Sequence, residues 1–386
     1  MKKFFSIVAA SLLALSVGCG GGAGNPADPN SGNGNPPAQD NNASNSSGDV
    51  QVGIILPTKD EPRWIQDQTR FENGLTQAGF TSSVLFSQGS SATERSNVEA
   101  LVGRGAKVII ICPQDGTAAA GAVDEAKQSG ATVIAYDRLI TNTENLDYYV
   151  GFDSKAVGEA QGEYLLSKAT GNGNPLYLYS GAATDNNAFD FFAGAWSVLQ
   201  PKIQDGTFVI ANSSEALALA DKAELDREEL GKILGQITTD WDFNVAKTKA
   251  EANLTSADAK LKGNVFILAP NDGTARSIAD TFAADTAVTH YEITGQDVEI
   301  PSVQYIIDGK QSMTVFKDTR ELTEAAIKLA SQVLNGETPE TTTTQNNGSK
   351  EVPSKILDVK TVTKDNVKEA IIDTGYYDAS QFTGLE

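Results

Sequence analysis

Histidine, methionine and cysteine are nearly missing from this chain of 386 residues, which has one, two and two of them. A transition-metal centre draws its ligands from these residues, so no metal site and no cofactor are expected. The lone His290 sits beside a strand pattern, where a structural role is the simpler reading. No nucleophile motif, catalytic histidine setting or phosphate loop is present, so the chain reads as no enzyme, although its many aspartates are of the type that glycoside hydrolysis uses. Positive charge is also scarce: 30 Lys and Arg stand against 50 Asp and Glu, a formal net charge of -20. Affinity for nucleic acid comes from neutralising phosphates, so no nucleic-acid partner is expected. A long apolar run is missing too. The longest, from Phe4 to Val17, falls short of the roughly 20 apolar residues that a spanning helix needs.

That short run follows Met1-Lys2-Lys3, and a basic start before an apolar core marks a signal peptide over 1–19. It closes on Ser16-Val17-Gly18-Cys19, which resembles the lipobox of bacterial lipoproteins, where cleavage leaves the cysteine first and its thiol takes a diacylglycerol. The departure is Ser16, where that family usually has leucine; an ordinary signal peptide with an incidental cysteine is the other reading. Removal of this segment, with its two lysines, takes the net charge from -20 to -22. Residues 20–48 are Gly, Asn, Pro, Ser, Ala, Asp and Gln, with no large apolar side chain. Such a stretch cannot offset the entropy of its own ordering and reads as a flexible tether. With Cys19 lipidated, Cys112 is the one remaining cysteine, at the end of the apolar run from Val108, and no internal disulfide is expected.

From Val50 the pattern becomes regular. The run 52–56 is apolar throughout, as in a strand covered on both faces, and Pro57 stops it. A helix over 65–78 closes on Gly79. A strand at 81–86, a helix at 93–102, a strand at 108–111, a helix at 118–129 and a strand at 132–136 follow. A second block repeats the alternation, with strands at 176–179, 265–269 and 292–294 and helices at 188–199, 242–254 and 274–283. Strand, helix and strand recurring at roughly thirty residues mean βαβ units and parallel sheets. Two such blocks predict two similar α/β lobes with a cleft between them.

In open α/β sheets ligands lie beyond the carboxyl ends of the strands. Those positions hold Arg63 and Trp64 after the first strand and Asp137 and Arg138 after the fourth. The second block adds Asp185 and Asn187, then Asn271, then Asp297. Lys317 follows a further strand at 313–316. Carboxylates accept a hydroxyl's proton, while Arg, Lys and Asn donate to its oxygen, so the set suits a polyhydroxylated ligand. Aromatic rings cover the C–H faces of a sugar, and Trp64 and Trp241 fall outside any obvious core stripe; amphipathic packing is the equal alternative for each. Trp196, on a helical pattern, reads as core. Taken singly these signals are weak: Asn271-Asp272-Gly273 is a common turn, Asp137-Arg138 reads also as a local ion pair, and Asp185 as an N-cap.

In order along the chain, these stretches resemble the type I periplasmic sugar-binding proteins of ABC transporters, in the xylose-binding and multiple-sugar-binding branch. The matching stretches are 57–64, 135–140, 184–188, 240–241, 271–274, 294–297 and 316–320. The resemblance implies two doubly wound parallel-sheet lobes joined by a hinge crossed three times, near Asp153, Lys317 and Gly348. The lobes would be 49–152 plus 318–348, and 153–317 plus 349–386. It implies that Arg63, Asp137 and Arg138 bind hydroxyls from the first lobe, with Trp64 on one sugar face. Asp185, Asn187, Asn271 and Asp297 would do so from the second, Trp241 would cover the other face, and Lys317 would donate near the hinge. Asp115, Asp272 and Gln296 read as loop residues or supports behind the contacts. A monomer that captures a monosaccharide such as xylose, glucose or galactose is implied. It would be lipid-anchored outside the cytoplasm and would deliver the sugar to an ABC permease, or alternatively present its closed form to a chemoreceptor or sensor kinase. The stretch 212–239 looks long and helical and departs from the family at the expected cleft edge.

Overall fold

The computed structural model describes residues 49–385; the signal segment, Cys19 and the tether lie outside the described residues. The first block runs β1 (Val52–Leu56), α1 (Pro62–Gln77), β2 (Ser82–Phe86), α2 (Ser91–Gly103), β3 (Val108–Ile111), α3 (Ala120–Gln128), β4 (Thr132–Tyr136) and β5 (Tyr148–Phe152). The second runs α4 (Ser154–Lys168), β6 (Asn174–Leu178), α5 (Asn186–Gln204), β7 (Phe208–Ile210), α6 (Ser214–Ala218), α7 (Arg227–Ile237) and α8 (Phe243–Ser256). It continues with β8 (Gly263–Leu268), α9 (Asp272–Ala284), β9 (Val288–Ile293), α10 (Ile300–Ile307) and β10 (Met313–Phe316). The chain then returns through α11 (Thr319–Leu334), β11 (Thr343–Asn346) and β12 (Glu351–Leu357) before β13 (Lys360–Thr363).

The first sheet has the order β11-β12-β5-β4-β3-β1-β2, parallel except for the β11–β12 pair. The second is β7-β6-β8-β9, all parallel, flanked by an antiparallel β10–β13 pair that a bridge from Gln296 to Val315 ties to the strand-end loop. Continuous apolar strands follow from burial on both faces. In β3, Val108 and Ile110 enter one core while Ile109 and Ile111 enter the other. In β6 and the residue after it, Leu176 and Leu178 go to one face and Tyr177 and Tyr179 to the opposite one. Two doubly covered sheets make two lobes, and the fold class is the type I arrangement of parallel sheets wound on both sides by helices.

The chain leaves the first sheet after Phe152 and comes back at Thr319, and an aspartate caps the helix at each passage: Asp153 accepts from Ala156 N at 3.0 Å, and Asp318 from Arg320 N at 3.0 Å. The third passage does not lie near Gly348. Gly348, with φ of +87°, lies between the two strands of the β11–β12 hairpin, and β12 then pairs in parallel with β5 through Leu357. The first sheet therefore extends to Leu357 before the chain crosses to β13.

The stretch 212–239 is two helices rather than one. Leu230, Ile233, Leu234 and Ile237 of α7 enter the second lobe's core beside α5, so its length serves burial. Among the described residues no helix is long and apolar enough to cross a membrane.

Candidate functional site

All ten residues singled out after the strands line one cavity between the lobes: Arg63, Trp64, Asp137, Arg138, Asp185, Asn187, Trp241, Asn271, Asp297 and Lys317. Three more join them that the sequence reading had not placed there, Glu61, Phe191 and Gln296. Gln296, read as a support behind the contacts, is in the lining itself, and its Oε1 is buried without a hydrogen-bond partner. Asp272 does stand behind, accepting from Gln311 Nε2 at 2.7 Å and from Glu299 N at 2.9 Å. Asp115 caps its own turn through Thr117 N and Ala118 N.

Most lining side chains are delivered by the loops that follow strands; Phe191 comes from within α5 and Trp241 from the loop after α7. Pro57 halts β1, and α1 then begins with Pro62, whose missing N–H costs nothing at a first helical position, and presents Arg63 and Trp64. Asp137 follows β4 with φ of +63°, Trp241 follows α7 at +61°, and Asp297 follows β9 at +97°. Left-handed backbone at a non-glycine residue is uncommon and costs energy. Three such residues on one cavity show that the fold holds these side chains inward against local preference.

Within the cleft the polar groups meet across the lobes. Arg63 Nη2 donates to Asp137 Oδ2 at 2.6 Å, and its Nη1 lies 3.7 Å from Asp297 Oδ1 on the opposite lobe. Arg138 Nε lies 3.0 Å from Asp185 Oδ2, also across the cleft. Asp185 Oδ1 meanwhile accepts from Asn187 N at 2.9 Å, so this carboxylate both caps α5 and pairs with arginine. Asn187 Nδ2 donates to the Asp137 carbonyl at 3.1 Å, and Lys317 Nζ lies 2.9 Å from Asp297 Oδ1. Asn271 Oδ1 accepts from Thr274 Oγ1 at 2.5 Å, which leaves its amide free to donate.

Trp64 is buried, at 1% exposure, and belongs to the first lobe's core as well as to the cavity wall. The guanidinium of Arg63 lies 4.4 Å from its ring centre and that of Arg138 5.4 Å, so the indole carries the two arginines. Trp241 packs edge to face with Phe191 at 6.2 Å and rests on Gly181, where an added Cβ would fall 2.1 Å from the indole. Its seat is fixed by Thr239, whose N and Oγ1 each donate to Ser180 O at 2.8 Å, and by Thr238 Oγ1, which donates to Gly181 O at 2.9 Å. Trp196 is core, donating to Lys222 O at 2.9 Å.

Burial would raise the Asp137 carboxyl, but Arg63, Lys317 and Arg138 outweigh it and hold it down at about 2. Asp185 goes the other way: burial raises it, and Arg138 offsets only part of that. Arg63 stays charged, because the carboxylates of Asp137, Asp67 and Asp297 outweigh its burial. Three cations thus face the carboxyls of Asp137, Asp185, Asp297 and Glu61, with Glu61 raised by burial. Such a lining is close to neutral overall and dense in both donors and acceptors, which matches an uncharged polyhydroxylated molecule better than an anion or a cation. Among the described residues no cluster of three or more His, Cys, Asp or Glu is placed to hold a metal ion.

Comparison with known proteins agrees with this geometry. The periplasmic binding protein domain family matches residues 52–338. The multiple sugar-binding periplasmic receptor ChvE of Rhizobium radiobacter is 36% identical over 343 residues, 86% of this chain and 91% of its own. The D-xylose-binding periplasmic protein of Escherichia coli is 31% identical over 334 residues, 86% of this chain and 92% of its own. A carbohydrate transporter solute-binding protein from Chloroflexus aurantiacus, solved in complex with D-glucose, superposes with a TM-score of 0.86 at 64% identity, covering 87% of this chain and 99% of that one.

Proposed function

This chain belongs to the periplasmic binding protein family, and we propose that it captures a neutral aldose between its lobes and delivers it to an ABC permease. The observation that carries this reading is the cleft in which ten residues from both lobes, nine of them following strands, converge with nearly balanced charge. A sugar leaving water loses the hydration of every hydroxyl, and each needs a partner. Arg63, Asp137 and Arg138 supply partners from one lobe; Asp185, Asn187, Asn271 and Asp297 supply them from the other, with Lys317 at the passage between. Neither set suffices for a whole ring, so the ligand favours the closed arrangement through contacts made only there. Trp64 and Trp241 supply the apolar walls.

D-glucose in the Chloroflexus aurantiacus relative and the xylose and multiple-sugar names of the others support an aldose of this size. No bond is broken in this scheme: the cleft serves binding, and the permease reads closure as occupancy. Lipid on Cys19 would hold the protein on the outer side of the cytoplasmic membrane, with residues 20–48 as its leash.

Titration calorimetry with a panel of pentoses and hexoses tests the ligand. At least one aldose should bind at micromolar Kd or tighter, near -8 kcal/mol, without added metal or nucleotide. Binding of none, with a charged solute giving a thermal shift, would overturn the reading. For the anchor, Cys19→Ser should release the protein from the membrane fraction; an unchanged partition would rule lipidation out.

A further inference from the structure

Glu61 occupies an unusual place. It stands at the N-cap of α1, where a carboxylate ordinarily accepts from the first free N–H groups of the helix, yet its side chain makes no capping bond. It lines the cavity instead. Burial raises this carboxyl, and although Arg138 and Arg63 attract it, neither is an ion-pair partner of Glu61 in the structure, since Arg138 is paired with Asp185 and Arg63 with Asp137. A half-buried carboxyl that gives up a helix cap and takes no cation in return has the indole N–H of Trp64 directed toward it, and its remaining acceptor capacity is open to a donor from elsewhere.

The position indicates which donor. Asp137, Arg138, Asp185, Asn187, Asn271 and Lys317 are all at 6% exposure or less and form the floor of the cleft. Glu61 is only half-buried and its chain neighbours Asp60 and Pro62 are exposed, which points to a place nearer the mouth than those six. Floor groups meet the ring hydroxyls. A group nearer the mouth meets what protrudes from the ring, and the substituent that separates an aldohexopyranose from the matching aldopentopyranose is the exocyclic hydroxymethyl.

Resting on the monosaccharide reading above, we propose that Glu61 is a further ligand-contacting residue that accepts the exocyclic hydroxyl of an aldohexose and so sets a preference for hexose over pentose. A pentose leaves part of this carboxyl's acceptor capacity unfilled beside the Trp64 indole, whereas a hexose fills it. Discrimination then comes from the added bond to a half-buried carboxylate that a pentose cannot make.

The test is titration of D-glucose and D-xylose, which differ only in that group, into the unaltered chain, Glu61→Ala and Glu61→Gln, with the ligand-free melting temperature as the check on folding. Glu61→Ala should weaken glucose roughly ten-fold or more while changing xylose by about two-fold or less. Glu61→Gln keeps an acceptor oxygen and should recover much of the glucose affinity. Asp137→Ala, on the floor, should weaken both sugars alike. If the unaltered chain binds both and Glu61→Ala weakens them equally, or neither, the assignment of Glu61 falls while the function stands. If the unaltered chain binds no aldose, the functional reading falls and this inference with it.

Discussion

Two residues carry the site's energetics most directly. Asp137 is held near 2, below the roughly 3.9 of an unfolded aspartate, because Arg63 and Lys317 outweigh its burial. A depressed carboxyl stabilises the fold above the unfolded value and loses that stabilisation as pH falls through the folded one, here about 2–3 kcal/mol between pH 4 and 2. Ligand-free Asp137→Asn should therefore be less stable than the parent at pH 6, and the gap should narrow below pH 4 in acid-unfolding curves; a gap independent of pH would contradict the pairing. Gly181 acts through contact. A methyl there would meet the Trp241 ring at 2.1 Å, and the indole would have to leave its seat. Gly181→Ala should raise the sugar Kd several-fold, the scale of one aromatic contact at about 1 kcal/mol. Calorimetry showing an unchanged Kd would mean that Trp241 does not face the ligand.

At the level of elements, the cleft depends on how closely α4 and α5 approach. An added Cβ at Gly158 would meet the carbonyl of Phe191 at 1.8 Å, a clash with backbone that no rotamer can relieve. This contact sets α5, which carries Asn187 and Phe191 to the cavity. Gly158→Ala should cost about 1–3 kcal/mol or more in urea unfolding, as overpacking does, and should weaken sugar binding although residue 158 is not in the cavity lining. Unaltered binding in a folded variant would show that the helix contact does not position the site. The pair α6 and α7 works in the same indirect way, filling the core and then placing Trp241 by way of Thr238 and Thr239.

For the whole molecule, the ion pairs Arg63–Asp297 and Arg138–Asp185 bridge the lobes, and three passages of chain join them. Under the proposed mechanism, a ligand that completes the bonds of both lobes would shift the population toward a closed arrangement. Small-angle scattering should show the radius of gyration contracting when sugar is added. Asp297→Ala removes a carboxylate that faces both Arg63 and Lys317, and it should need much more sugar for the same contraction. A constant radius at saturating sugar would refute closure even with tight binding.

The apolar runs at 52–56, 108–111 and 132–136 are too short for helices and alternate with helical patterns, which reads as strands covered on both sides, so fold class and the order of units were legible from the chain. Ten of the thirteen lining residues were legible, most of them for a related reason: strand ends in such sheets open onto the cleft, and polar residues there announce themselves. Other features had no sequence signal because they depend on what lies opposite. Gly348 looked like a hinge and is a hairpin turn, because β12 finds β5 as a partner across some two hundred residues. Trp64, for which packing and a sugar-facing role were equal readings, is both core and cavity wall, with two arginines over its ring. Glu61 had no signal of its own within the stretch 57–64; only the packed lobes turn its carboxyl from the helix to the cavity. Local pattern fixes which segments bury their faces. Which side chain ends up facing a shared void is decided by the meeting of two lobes, and that is a property of tertiary structure alone.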